Sequence, residues 1–260
     1  MPTIVVLIKN VPDTWSTKTL NPDFTLHREG VDEVIDEINE YAVEQALQLR
    51  EAHEGWKVVA LTAGPERADT ALRKALAMGA DDAVLLTDPG LKGSDLLGTT
   101  WALNNAIDAI DDVQIIIAGN ASSDGATGAL PGMLAEYRQI PALTNMRSLE
   151  LVGGELKGVR EAHEGEYHLA AAIPALVSVT EKSGKPRFPN FKGLMAAKKA
   201  EIRTLSLADI GVTQEQVGLA HAATTVQSAD TRPERTQGEI IRGNDTAAQI
   251  VDFLAANKLI

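Results

Sequence analysis

A chain of 260 residues, 44% hydrophobic and 23% charged, has enough apolar content for a real core and the charge density of an ordinary globular domain. Its formal net charge of −12 argues against a nucleic-acid-binding face and against contact with anionic membranes. There is no cysteine, which excludes disulfides, thiolate nucleophiles and cysteine-held metals and fits a cytoplasmic location.

Residues 3–8 form an apolar run with the look of a buried strand, and no basic signal region precedes it. No apolar stretch reaches the roughly 18 residues that would predict a membrane span. The stretch 37–54 is helical, with Ile38, Ala42, Ala46 and Leu49 on one stripe. Residues 56–61 predict a second strand, running into Thr62-Ala63-Gly64-Pro65. A helix over 67–78 ends at Gly79, a natural C-cap. Residues 82–86 predict a third strand, Ser94 caps a helix running to about Ile110, and 113–117 is a fourth strand entering a glycine-rich turn. The next helix spans 128–137. Strands and helices alternating at this spacing predict an α/β fold with a doubly wound, mostly parallel sheet, which binds ligands at the carboxyl ends of its strands.

After Pro141 the pattern changes. Residues 148–159 form a hairpin turning at Gly153-Gly154, and 167–173 and 175–180 are further strands around Pro174. Residues 182–189 are rich in Pro, Gly and Lys and predict exposure. The α/β domain is expected over 1–210. Residues 211–244 are polar and aperiodic, which predicts an extended arm, and 246–259 close the sequence as an amphipathic helix with Ile250, Phe253 and Leu254 on its apolar side.

The segment richest in binding chemistry is Asn120-Ala121-Ser122-Ser123-Asp124-Gly125-Ala126-Thr127-Gly128-Ala129-Leu130-Pro131, between a strand and a helix. Its glycines admit a ligand close to the backbone, and N–H groups at a helix start suit a phosphate. It is neither GxGxxG nor a Walker loop, and no Lys follows Gly128, which argues against γ-phosphate chemistry. From spacing alone it reads equally as an ordinary strand-to-helix loop. Lys9, at the end of the first strand, either faces an anionic ligand or is simply solvated. The small residues at 62–65 either leave room for a flat base or make a turn. The five histidines form no HxxxH pair, and no GxSxG elbow is present. Arg187, Phe188, Phe191, Leu194 and Met195 stand among lysines in an otherwise acidic chain. An apolar anchor ringed by cations suits a transient protein contact. On pattern alone the same residues slightly favour a loop leading into an amphipathic helix with Leu194 and Met195 in the core.

In order and spacing these segments resemble the β subunits of electron-transfer flavoproteins over nearly the whole length. The marks are Ile8-Lys9-Asn10-Val11-Pro12-Asp13, Asn39-Glu40-Tyr41-Ala42-Val43-Glu44, Ala63-Gly64-Pro65, Ala75 to Asp81, the 119–132 loop, Pro174 to Ser178, Pro186-Arg187-Phe188 through Lys199, and Arg235-Thr236 with Gly238. The resemblance implies an adenine-nucleotide α-hydrolase-like fold whose C-terminal arm, 211–260, embraces a larger α subunit. That α subunit holds most of one FAD. It implies a structural AMP lined by Leu7, Asn39, Glu40, Tyr41, Ala42, Ala63 and residues 120–131. Tyr41, and more loosely Trp15, would approach the flavin. Residues 182–199 would be a recognition loop that docks acyl-CoA and other flavin dehydrogenases in fatty acid β-oxidation. Electrons would then pass to a membrane quinone oxidoreductase, so the chain is an electron carrier subunit and not an enzyme. Two departures stand out. Phe191 occupies the place of the family's usual Leu anchor, with Leu194 as fallback, and His163 replaces an expected acid. Relatives that bifurcate electrons bind a second FAD in place of AMP, and their loop carries a Gln and a second Asp that are missing here, which favours AMP. The rivals are a stand-alone nucleotide-binding regulator resembling universal stress proteins, and a hydrolase using His163 or His168.

Overall fold

A computed structural model describes residues 1–234, 238 and 240–260. Arg235 and Thr236, part of the family resemblance, lie outside the described residues. Two compact units are present, Met1–Thr225 and Val226–Ile260.

The first unit is built on strand β1 (Thr3–Leu7). Short strands β2 (Asn10–Pro12) and β3 (Glu33–Ile35) pair antiparallel beside it. Helix α1 (Glu37–Ala52), strand β4 (Lys57–Ala63), helix α2 (Asp69–Met78) and strand β5 (Asp82–Leu86) follow. Then come α3 (Leu96–Asp108), β6 (Val113–Gly119) and α4 (Leu130–Arg138). Strands β7 (Ala142–Val152), β8 (Glu155–Ala162), β9 (Gly165–Ala172) and β10 (Ala175–Val179) come next. Helix α5 (Phe191–Lys199) and strand β11 (Arg203–Leu205) complete the packed layers.

The nine-stranded sheet runs β11-β5-β4-β1-β6-β10-β7-β8-β9. Its first seven strands pair parallel, and β7, β8 and β9 form an antiparallel meander at one edge. β1 is buried along its whole length, as a central parallel strand with helices on both faces must be, and Ile4, Val5 and Val6 suit that setting. Alternate residues serve the two faces. Ile4 and Val6 join Val43, Leu47 and Leu72 in one core cluster, while Val5 and Leu7 join Leu103, Ile107 and Leu134 in the other. Thus α1 and α2 cover one face, and α3 and α4 the other. The chain reverses direction across β1, with β4 on one side and β6 on the other. The switch point therefore lies at the carboxyl ends of β1 and β6.

Several predicted boundaries move, for local reasons. α3 is capped by Asp95, whose carboxylate accepts from Gly98 N–H at 2.9 Å, and not by Ser94. Ser94 Oγ instead donates to Leu91 O at 2.7 Å. α4 begins at Leu130 and not at 128, because Ala126 (φ 49°) and Gly128 (φ 65°) are left-handed. Gly79 ends α2 at φ 130°, as predicted. Residues 211–225 were expected to begin the arm but lie within the first unit. Val212 and Val217 are buried with Ile210 in the core beside α3, so two apolar residues in a polar stretch sufficed to hold it. In the second unit, α6 (Thr246–Ala256) forms as predicted and none of its residues is buried. No helix among the described residues is long and apolar enough to cross a membrane.

Candidate functional site

Three walls meet at the switch point. The first is the end of β1. Leu7 turns its side chain into the core, so only its backbone is available there, and Lys9 N–H donates to Asn39 Oδ1 at 2.8 Å. The second is the first turn of α1. Asp36, just before it, accepts Ser123 N–H at 2.8 Å, and Ile38 lies so close to Gly119 that a Cβ there would come within 2.5 Å of it. Gly119 is therefore required for the helix to approach the strand end. The third wall is the 120–131 loop itself.

The predicted residues divide in this geometry. Asn39 is buried and Tyr41 half-buried against the core. Ala42 is fully buried, and Glu40 turns toward α2, 3.5 Å from Lys74 Nζ. Ala63 ends β4 beside β1 and is followed by Gly64. Residues 125–129 are exposed, and Asn120 to Ser122 are half-buried. α4 has no side-chain cap at Ala129, and Pro131 sits in its first turn, where a missing N–H is harmless. Trp15 is 96% exposed.

Sequence reasoning missed most of what shapes the loop. Asp124, whose side chain is only 2% exposed, takes Lys9 Nζ at 2.7 Å and an ion pair from Arg28. Burial alone would raise its pKa. The charge of Lys9, with hydrogen bonds from Lys9, Ser122 and Arg28, outweighs burial and holds it at about 2. Arg28 also donates to Asn10 O and Glu33, and Glu33 in turn binds Arg67 Nε at 2.6 Å. Burial pushes the Asp36 carboxyl above its ordinary range against the pull of Ser123 N–H. Lys9 was weighed as either ligand-facing or solvated; its ammonium is half-exposed and bound to Asp124. Arg28, Glu33, Asp36 and Arg67 carry no sequence signal, since each has a partner 34 to 96 positions away along the chain.

These walls bring together groups that suit a phosphate and a flat ring. An uncapped helix start offers N–H groups to a phosphate, and Ser122 and Thr127 add hydroxyls. Ala63 and Gly64 leave space at the neighbouring strand end. Thr62 Oγ1, one residue earlier, is buried without a hydrogen-bond partner among the described residues.

The 182–199 segment is a loop followed by helix α5. Phe188 and Phe191 are 84% and 78% exposed, and Leu194 and Met195 are 46% and 41% exposed, so neither of the latter joins the core. Arg187, in contrast, is fixed. Its backbone N–H and Nε donate to Glu44 Oε2 at 3.0 and 2.7 Å, and its Nη2 donates to Glu51 at 3.1 Å. Gln45 Nε2 adds a bond to Ser183 O at 2.8 Å. Burial would raise the Glu44 pKa, and the Arg187 bonds overcome it and lower it. On α5, Gly193 sits so tightly on the Ala77 carbonyl that no larger residue fits. His168 stands on the exposed strand β9, five strands from β1. No cluster of three or more metal-binding side chains occurs among the described residues.

The family profile described as electron transfer flavoprotein domain matches residues 23–210. The chain belongs to the electron transfer flavoprotein family. It is 52% identical over 266 residues to electron transfer flavoprotein subunit beta of Mycobacterium tuberculosis, with all of both chains covered. To the subunit beta of Mycobacterium leprae it is 53% identical, again over all of both chains. To that of Megasphaera elsdenii it is 34% identical over 99% of each. It is thus an electron transfer flavoprotein β subunit, with an α subunit as heterodimer partner and a flavin association. Its role is electron carriage and not catalysis of a reaction of its own.

Proposed function

We propose that this β subunit buries one AMP at the switch point and shares an FAD held mainly by its α subunit. It receives electrons from acyl-CoA and other flavin dehydrogenases and delivers them to a membrane quinone oxidoreductase, in the cytoplasm. The observation that carries the nucleotide assignment is the uncapped start of α4, in the loop that leaves the end of β6 where Ile38 of α1 comes close to Gly119. The FAD supplies the electron chemistry. The protein's own residues bind, orient and shield it. Asn39 and the 120–131 loop hold the nucleotide, Leu7, Ala42 and Ala63 shape its walls, and Tyr41 stands toward the flavin. Glu40, whose carboxylate stands by Lys74, is assigned with Asn39 to the same wall.

Docking is assigned to Phe188, Phe191, Leu194 and Met195, held by Arg187. Large apolar side chains exposed among Lys185, Lys192, Lys198 and Lys199 suit a partner that must bind and leave quickly. The arm from about residue 226, with the uncovered apolar side of α6, is assigned to the α subunit. The test is reduction of the co-expressed heterodimer by an acyl-CoA dehydrogenase and its substrate, followed through the flavin absorbance. Rapid bleaching is expected. A heterodimer that does not form, or one that stays oxidised, contradicts the proposal.

A further inference from the structure

The segment 13–32 leaves the sheet after β2 and returns at β3, which leads directly into α1. It is organised by bonds of its own. Asn21 N–H donates to Thr25 O, His27 N–H donates to Thr19 O, Leu20 and Leu26 bridge, and Asp13 N–H closes onto Asp32 O. Among the described residues, every hydrogen bond from this segment to the rest of the protein passes through one residue, Arg28. Its guanidinium reaches Asp124 on the 120–131 loop, Asn10 O at the start of β2 and Glu33 on β3. Its carbonyl accepts from Arg67, on the turn after β4. One residue therefore joins the segment to the 120–131 loop, to the β2–β3 pair and to the turn after β4. Its carboxylate partners are 2% and 6% exposed, a setting where a charged pair is weakly screened by salt and its loss is costly.

We propose that Arg28 is a positioning residue that latches segment 13–32 against Asp124, so that the bound adenine nucleotide leaves only when this latch opens. The latch acts through Asp124. With Arg28 and Lys9 both in place, the carboxylate is pinned from two sides, and with it the 122–126 turn, which Ala126 N–H closes onto Ser122 O at 2.8 Å. Without Arg28, Lys9 alone restrains Asp124, and the segment keeps only its internal bonds and the donation from Arg67 to the residue-28 carbonyl.

The inference rests on the AMP assignment, and the test separates the two. The α–β heterodimer is loaded with radiolabelled AMP, and its release into excess unlabelled AMP is timed for wild type, Arg28→Ala and Arg28→Lys. Arg28→Ala is expected to release AMP roughly tenfold faster or more, with Arg28→Lys in between, because truncating one member of a buried charge pair acts mainly on the off-rate. Hydrogen exchange of residues 14–27 is expected to quicken in Arg28→Ala while that of β1 and β6 is unchanged. Equal release rates in all three proteins would overturn the latch, as would quicker exchange spread evenly over the whole sheet, which marks plain destabilisation. If the wild-type heterodimer retains no AMP, the nucleotide assignment fails. The latch is then judged on the exchange of residues 14–27 alone, and unchanged exchange there refutes it.

Discussion

Asp124 illustrates how a buried carboxylate is kept charged. Its environment lowers its pKa from 3.8 to about 2, so its stabilising contribution is complete above about pH 4 and is lost as the pH falls through about 2. Asp124→Asn is expected to cost about 2 kcal/mol at pH 7, with a shrinking difference from wild type as the pH falls from 4 to 2. Denaturant titration across that range checks it. Asp36 runs the other way. Burial raises its pKa, so its ionised form is a burden on the fold that grows as the pH rises above its ordinary value near 3.8. Asp36→Asn keeps the acceptor for Ser123 N–H and removes the buried charge. It is expected to leave stability equal below pH 4 and to raise the melting temperature at pH 7; a fall at pH 7 would show that the carboxylate is stabilising there. Neither environment was legible in the sequence. Asp124 looked like one more residue of a glycine-rich loop, and its partner Arg28 is 96 positions away. Lys9 was legible only as a choice between two roles, because a strand-end lysine is ambiguous until its neighbours are known.

Elements formed largely where periodicity and turn chemistry put them, and the exceptions are local. The strand expected over 113–117, which runs on to Gly119, and the glycine stop of α2 were plain in the sequence. The start of α4 was not, because a left-handed Ala126 is unusual and leaves no mark. In the 182–199 segment both readings held a part of the answer. A helix forms over Phe191–Lys199, yet Leu194 and Met195 stay outside the core. Arg187, which looked like a contact residue, is occupied by Glu44 and Glu51 and so orders the segment from within. Arg187→Ala is expected to lower stability by about 2 kcal/mol and to slow electron acceptance from a dehydrogenase, since the two carboxylates lose their partner and the apolar side chains lose their fixed spacing. Phe191→Ala is expected to slow acceptance roughly tenfold while leaving flavin content and melting temperature unchanged. Stopped-flow mixing with a reduced acyl-CoA dehydrogenase separates the two variants, and unchanged kinetics in Phe191→Ala would remove that residue from the docking surface.

At the scale of the molecule, the alternation of buried strands with amphipathic helices was enough to predict the doubly wound sheet, because parallel strands covered on both faces read as continuous apolar runs. Of the antiparallel β7–β8–β9 meander, the hairpin at Gly153-Gly154 was legible, while the start of β7 at Ala142 and the pairing of β9 with β8 were not. The small β2–β3 pair was too short to announce itself, yet it launches the segment that Arg28 holds. Binary pattern also missed the burial of Val212 and Val217, two apolar residues in a polar stretch, and so set the start of the arm too early. What the fold assembles is a loop tied to the start of α1 at the switch point and an exposed apolar segment pinned to the same helix by Arg187. The proposal that the switch point is an AMP site makes the nucleotide a structural part of the carrier, with a single flavin in the complex. The most direct measurement is to denature the purified α–β heterodimer and identify what it releases. One FAD and one AMP per heterodimer is the predicted result, and two FAD with no AMP would contradict it.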